Sequence, residues 1–237
     1  MLFKEVIGHN DIKERLIKTV EEERISHAQM FLGAEGSGNL ALAIAYSQFI
    51  CCSNPTENDA CGVCSSCKKY KKLIHPDLHF AFPVATTKKV AKSPVSDKFI
   101  YDWRKSVSEN PYLTVNQWYD AIGMENKQGN ILKDESYEIL RKLNMKSYEA
   151  EYKILIMWMP EKMNIAAANK LLKIIEEPPP KTLFLFVSQN SDEIIKTILS
   201  RTQLIKIPKI DDLSLENAIK EKFNLDEQEL KRIINLG

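Results

Sequence analysis

The sequence lacks three features that would each point to a particular class of protein. No apolar run approaches the roughly 18 residues that a membrane-spanning helix requires, and the amino terminus leads into a charged helical pattern instead of a signal peptide. Basic and acidic side chains nearly cancel, at 33 and 32 in 237 residues, so the net charge of +1 is too small to bind nucleic acid through its phosphates. There is also no internal repeat or low-complexity tract. These absences predict a cytoplasmic, non-membrane globular protein.

Short apolar runs alternate with amphipathic segments along most of the chain. Runs typical of buried strands cover 28–32, 78–82, 153–159, 183–187 and 203–207. Helical spacing of apolar residues covers 11–24, 40–50, 136–147, 166–177, 191–200 and the more charged stretch 208–237. The alternation predicts a doubly wound parallel α/β sheet over residues 1–207, with ligands at the carboxyl ends of its strands. We expect a domain boundary near Pro208.

A phosphate-binding loop is expected between the first predicted strand and its following helix, where the sequence is GAEGSGNL at 33–40. Such a loop uses a lysine to hold the β and γ phosphates and a Ser or Thr hydroxyl to bind Mg²⁺. The glycines of such a loop are present at Gly33, Gly36 and Gly38. The positions of the lysine and of the Ser or Thr, however, are occupied by Asn39 and Leu40. We interpret the segment as a degenerate phosphate loop, with an ordinary glycine-rich turn as the alternative. Either interpretation predicts no ATP as a cofactor and no ATP hydrolysis.

The acidic half of an ATPase site is missing as well. In an active enzyme the buried strand ending at Met157 would be followed by Asp-Glu, which serves Mg²⁺ and the attacking water. Trp158 and Met159 occupy those positions. Glu161 is expected to be a solvated residue at the start of a helix. Loss of charge at two separate places strengthens the prediction that this chain does not hydrolyse ATP.

Cysteines are concentrated between positions 51 and 67. Four of them, with the spacing C-x8-C-x2-C-x2-C, can surround a tetrahedral ion: Cys52, Cys61, Cys64, Cys67. Because the protein would fill all four positions, we predict a structural zinc module at about 51–70. An iron–sulfur cluster uses the same ligands but would need a redox partner that the sequence does not indicate, and free buried thiols are the remaining alternative. Cys51 is interpreted as a spare thiol.

The apolar residues of 83–129 show no sustained helical or strand spacing. We interpret this segment as an insertion with a helix around 96–106. Together with Trp103 and Trp118, its basic residues suggest an alternative function, a zinc-dependent DNA-binding module. That module would require one basic face formed by Lys88, Lys89, Lys92, Arg104 and Lys105. We favour a solvated charged surface without this role.

Several motifs together resemble the clamp-loader branch of the AAA+ family, most closely the delta-prime subunits of bacterial DNA polymerase III. The resemblance covers about residues 3–207. It rests on the four-cysteine insert and on ISHAQMFLG at 25–33, HPD at 75–77, MN at 163–164, AANKLLK at 167–173, EEPP at 176–179 and SR at 200–201. It implies an AAA+ P-loop-NTPase-like sheet with a zinc insert, followed at 208–237 by the start of a small α-helical lid domain.

In that family a Ser-Arg-Cys motif presents an arginine to ATP bound by the neighbouring subunit, an arginine finger acting in trans. The motif here is Ser200-Arg201-Thr202, so the resemblance implies that Arg201 is the catalytic residue in trans. It further implies a stator-like subunit of a DNA polymerase III holoenzyme, with no ATPase or polymerase activity of its own. The implied partners are gamma/tau and delta subunits in a hetero-pentameric ring, which loads the sliding clamp on primed DNA in the nucleoid-associated replisome.

Two departures from the family pattern affect this interpretation. The segment 83–129 is longer than expected, and the helical collar that would follow the lid is absent, so we expect the sequence to be a fragment of a longer subunit. Within the same family the alternative is an ATP-using motor subunit of the gamma/tau type, in which Asn39 would have to suffice in place of lysine.

Overall fold

The structure, a computed structural model, describes residues 1–124 and 127–222. Five strands are present in these residues: β1 Ala28–Leu32, β2 Leu78–Ala81, β3 Lys153–Trp158, β4 Thr182–Ser188 and β5 Gln203–Lys206. The helices are α1 Asn10–Glu21, α2 Asn39–Ile50, α3 Ser65–Lys71, α4 Ile100–Glu109, α5 Val115–Ala121, α6 Lys133–Leu143, α7 Ile165–Glu176, α8 Lys196–Leu199 and α9 Asp212–Lys222. Short 3-10 helices cover Phe3–Glu5, Ser96–Phe99, Pro160–Lys162 and Ser191–Glu193.

The strands form one parallel sheet in the order β2-β3-β4-β1-β5, which confirms the predicted α/β class. Side chains alternate between the two faces of each strand. In β3, Ile156 and Trp158 join the core that contains α1 and α2, whereas Leu155 and Met157 join the core that contains α6 and α7. Helices therefore cover both faces, and β1 lies between β4 and β5, the last strand of the sheet in the described residues.

The predicted insertion is a folded part of the first core. Its ends meet in an antiparallel bridge between Val84 and Asn130, and it contains α4 and α5. Trp103 and Trp118 are completely buried; the Trp103 ring stacks on Phe82 at 4.2 Å, and Trp118 Nε1 donates to the Pro83 carbonyl at 2.9 Å. The DNA-binding alternative required Trp103 and Trp118 to lie beside an exposed basic face. That part of the alternative is wrong, because buried rings cannot stack on bases.

Three segments differ from the sequence predictions. The helix expected at 191–200 is divided by Ile194, whose extended backbone allows its side chain to enter the second core. The short helices α3 and α5 were not predicted, although Thr114 and Gln117 form a capping box at the start of α5. Of the helical stretch expected after Pro208, the structure describes α9, and residues 223–237 lie outside the described residues, as do 125–126 within the insertion. The domain boundary near Pro208 stays a prediction.

None of the helices in residues 1–124 and 127–222 combines the length and apolar character needed to cross a membrane.

Asp77 connects the starts of the two neighbouring strands β2 and β3. Its buried carboxylate accepts hydrogen bonds from the backbone N–H groups of Tyr148, Glu149 and Ala150 at 2.6, 2.8 and 2.9 Å. Burial raises the pKa of this carboxyl, but the backbone donors together lower it, so the pKa lies below its ordinary value. The charged form of Asp77 therefore stabilises the loop that leads into β3.

We predict that Asp77→Asn lowers the free energy of unfolding by about 2 kcal/mol at pH 7, because three N–H donors lose a charged acceptor. The folded pKa is below that of the unfolded chain. The contribution of Asp77 is therefore present above the unfolded value of about 3.9 and is lost as the pH falls through the folded pKa. Urea unfolding at neutral and acidic pH measures this, with the exposed Asp120→Asn as control. A deficit that does not shrink in acid would contradict the assignment.

Candidate functional site

The glycine-rich segment 33–40, interpreted from its sequence as a degenerate phosphate loop, lies at the carboxyl end of β1, in the position where sheets of this kind bind phosphates. Gly38 is the N-cap of α2 and has a left-handed backbone with φ of 81°, which glycine adopts without strain. The Gly33 N–H donates to the Ser188 carbonyl at 3.1 Å, and this bond attaches the loop to the end of β4. The predicted strand, loop and helix are thus present with the expected bounds.

Asn39 points into the protein. Its Nδ2 donates to the carbonyls of Gly33 and Ser188 at 3.1 and 3.0 Å, and its Oδ1 accepts from the Leu40 N–H at 2.9 Å. Only 8% of Asn39 is exposed, and Leu40 is buried in the first core. The two residues that replace lysine and Ser/Thr therefore brace the loop and fill the core, and the amide is already hydrogen-bonded within the chain.

An aromatic ring from the insertion lies against the loop. A Cβ atom built on Gly38 would come within 2.8 Å of Tyr112 Cε1, and the Tyr112 hydroxyl accepts a hydrogen bond from the Ile7 N–H at 2.8 Å. His9 Nε2 lies 2.7 Å from the carbonyl of Ser37. The insertion and the amino-terminal segment therefore both cover the N-terminus of α2. The sequence predictions did not include Tyr112 or His9, because these contacts join distant parts of the chain.

The positions of the missing acidic pair are apolar and buried. Trp158, at the end of β3, lies 5.3 Å from the ring of Trp103, and Met159 is 4% exposed with a left-handed backbone. Glu161 lies in a short 3-10 helix, as its expected place at a helix start requires, but it is half-buried instead of solvated, and its Oε1 accepts from the Gln189 N–H at 3.2 Å. Its Oε2 is buried without a hydrogen-bond partner among the described residues, and burial raises its pKa. Glu161 is therefore half-buried, with one carboxylate oxygen shielded from solvent.

The four predicted metal ligands come together. The sulfur atoms of Cys52, Cys61, Cys64 and Cys67 all lie within 4.8 Å of one another, with Cys67 at 3.6 Å from Cys52 and 4.0 Å from Cys61. Four sulfurs held tetrahedrally at about 2.3 Å from one zinc ion would lie about 3.8 Å apart. The cluster therefore fits a single tetrahedral ion, whereas an iron–sulfur cluster spreads its ligands over several iron atoms.

Backbone donors lower the pKa of the Cys61 and Cys64 thiols, whereas burial raises the pKa of the Cys52 and Cys67 thiols. The N–H groups of Cys61, Cys64 and Cys67 point at the sulfurs of Cys52, Cys61 and Cys64 at 3.2, 3.4 and 3.4 Å. Burial raises the pKa of the Cys64 thiol, but these and neighbouring donors lower it to about 6. Cys51 lies outside the cluster, where burial raises its pKa to about 12, so it is an inert structural thiol.

Arg201 follows the short helix α8 and is partly exposed, at 34% of its side chain. Its Nε and Nη2 both contact Glu176 Oε1 at the end of α7, and its Nη1 donates to the Thr197 carbonyl at 2.9 Å. The guanidinium group is thus held at the surface by its own chain. Its action on a neighbouring subunit stays a prediction.

Comparison with known proteins places these features in a family. The family model described as DNA polymerase III, delta subunit, matches residues 8–211. The chain is 24% identical over 218 residues to DNA polymerase III subunit delta' of Bacillus subtilis (strain 168), covering 90% of this chain and 53% of that protein.

It is also 24% identical over 191 residues to DNA polymerase III subunit delta' of Escherichia coli (strain K12), covering 81% of this chain and 45% of that protein. Identity to DNA polymerase III subunit tau of B. subtilis is 23% over 208 residues, covering 88% of this chain and 29% of that protein. The chain spans about half the length of the delta' relatives that it matches. Since the family model matches most of the sequence, the chain belongs to the DNA polymerase III delta subunit family.

Proposed function

We propose that this chain acts as a non-hydrolysing, stator-like subunit of a DNA polymerase III clamp loader and gives Arg201 to the ATP site of a neighbouring subunit. The inward-facing Asn39, in place of the lysine of an active phosphate loop, is the observation that supports this most strongly. The partners would be gamma/tau and delta subunits in a ring that loads the sliding clamp on primed DNA.

The loop offers little to a nucleoside triphosphate. A neutral amide that already donates to the Gly33 and Ser188 carbonyls cannot offset phosphate charge, and Leu40 cannot bind Mg²⁺. The ring of Tyr112 also lies against Gly38, at the helix terminus where phosphate would bind. Missing charge and restricted access both favour a chain that does not use ATP.

Arg201, by contrast, keeps a charge that can serve another site. Its ion pair with Glu176 is partly exposed, at 34% and 44% of the two side chains, and such pairs contribute about 1 kcal/mol or less. A triphosphate on an adjacent subunit could therefore engage the guanidinium without disrupting this fold. The neighbour would gain stabilisation of the charge that develops during phosphoryl transfer.

The cysteine cluster is proposed to hold a structural zinc ion. Cys52, Cys61, Cys64 and Cys67 would be its ligands, and four protein ligands leave no open position for chemistry. The cluster lies beside the amino terminus, since the Asp59 carboxylate accepts from the N–H groups of Phe3 and Lys4 at 2.9 and 3.1 Å. Zinc would therefore stabilise the module and the start of the chain.

We predict that the isolated chain neither binds Mg-ATP at micromolar concentrations nor hydrolyses it, because the loop supplies no lysine and no metal-binding hydroxyl. Calorimetric titration together with a phosphate-release assay tests this. Micromolar binding with turnover would instead establish a motor subunit of the gamma/tau type and would overturn the proposed function.

We predict that Arg201→Ala lowers ATP turnover at the neighbouring site by about 10³-fold in the reconstituted clamp loader, as expected on loss of an arginine finger. Folding, assembly and metal content should be unchanged, because the side chain is at the surface. Arg141→Ala, which removes another exposed arginine paired with a glutamate, is the matched control. Equal turnover by the Arg201 and Arg141 variants would refute the role.

We predict that the purified chain contains one zinc ion, that Cys61→Ser loses it, and that Cys51→Ser keeps it. Elemental analysis and thermal unfolding, each with and without a chelator, measure this. Metal removal should lower the unfolding temperature, since binding free energy contributes to folding. Identical folding of a metal-free chain would contradict a structural site.

A further inference from the structure

Glu176 contacts Arg201 through one oxygen. Its Oε1 contacts both Nε and Nη2 of the guanidinium. The third nitrogen, Nη1, donates to the Thr197 carbonyl at 2.9 Å and to Ser200 Oγ at 3.3 Å. A guanidinium has five N–H groups, so these contacts leave one Nη2 hydrogen without a partner among the described residues. Every nitrogen is restrained, yet one donor remains for another acceptor.

The two segments that support this pair are fixed to the same core. Leu171 and Ile175 of α7 and Ile198 of α8 are completely buried in the second core. The carbonyl of Ile175, adjacent to Glu176, lies 3.0 Å from His27 Nε2 just before β1. The backbone that carries the Glu176 carboxylate is therefore held rigidly by the core, whereas the Arg201 side chain alone would sample many rotamers.

We propose that Glu176 is a positioning residue, which selects the conformation in which Arg201 meets the triphosphate of the adjacent subunit. This inference rests on the proposed function of Arg201. Its physical basis is preorganisation: a flexible side chain loses conformational entropy when it engages a ligand, and a prior restraint reduces that loss.

A restraint of this kind differs from an inhibitory contact. Because both side chains are partly exposed, the ion pair is too weak to withhold Arg201 from a highly charged triphosphate. The same weak interaction is sufficient to favour one rotamer several-fold over others. The neighbouring Glu177 is exposed and its carboxylate has no partner among the described residues, which makes it a matched control.

The test uses the reconstituted clamp loader with Glu176→Gln, Glu177→Gln and Arg201→Ala, alone and combined. We expect Glu176→Gln to lower kcat at the neighbouring ATP site about fivefold with KM for ATP unchanged, the effect of a weak ion pair. Glu177→Gln should match the wild type. In the Arg201→Ala background, Glu176→Gln should have no further effect, a result that a general structural defect would not produce.

A second measurement examines the contact in the isolated chain. Arginine modification by phenylglyoxal, followed by peptide mass spectrometry, should be several-fold faster at Arg201 in Glu176→Gln than in the wild type or Glu177→Gln. Equal rates would overturn the positioning role, as would full kcat in Glu176→Gln or an equal loss in the Arg201→Ala background. If Arg201→Ala itself leaves turnover unchanged, the proposed function fails, and the positioning role fails with it.

Discussion

The hydrogen bonds from the Asn39 amide to the carbonyls of Gly33 and Ser188 determine what the central loop of this fold can do. In an active phosphate loop the corresponding side chain presents a positive charge to the ligand. Here the side chain faces inward and joins the start of the loop to the end of β4. The glycines, the strand and the helix are present, while position 39 has no lysine to offset the charge of a triphosphate.

The charged residues near this site bear on whether the chain would serve its own ATP site or a neighbour's. The chain has no lysine at its own loop and no acidic pair after β3, where Trp158 and Met159 are buried. A partly exposed arginine with a restrained guanidinium follows α8. In a member of the DNA polymerase III delta subunit family, this distribution supports the proposed role of a subunit that assists a neighbour's site.

Sequence patterns predicted the sheet well because strands that are buried on both faces have continuous apolar runs in their sequence, as in β3 and β4. The cysteine cluster was predictable from spacing, since local turns bring nearby thiols together. The seven-residue helix α3, by contrast, begins at the Cys64 cap and contains little apolar periodicity. Tyr112 against Gly38, and Glu176 against Arg201, are contacts between segments that are distant in sequence, and no local pattern specifies them.

The insertion connects the two halves of the degenerate site. Its Tyr112 lies against Gly38 of the loop, and its Trp103 lies against Trp158 at the former acidic position. Restoring lysine at position 39 would therefore leave the loop covered. Trp158→Asp would bury a charge beside Trp103, at a cost of several kcal/mol unless the group became protonated. These residues and the insertion form one packed unit, so under the proposed function a gain of ATP use would require changes in the core as well as in the loop.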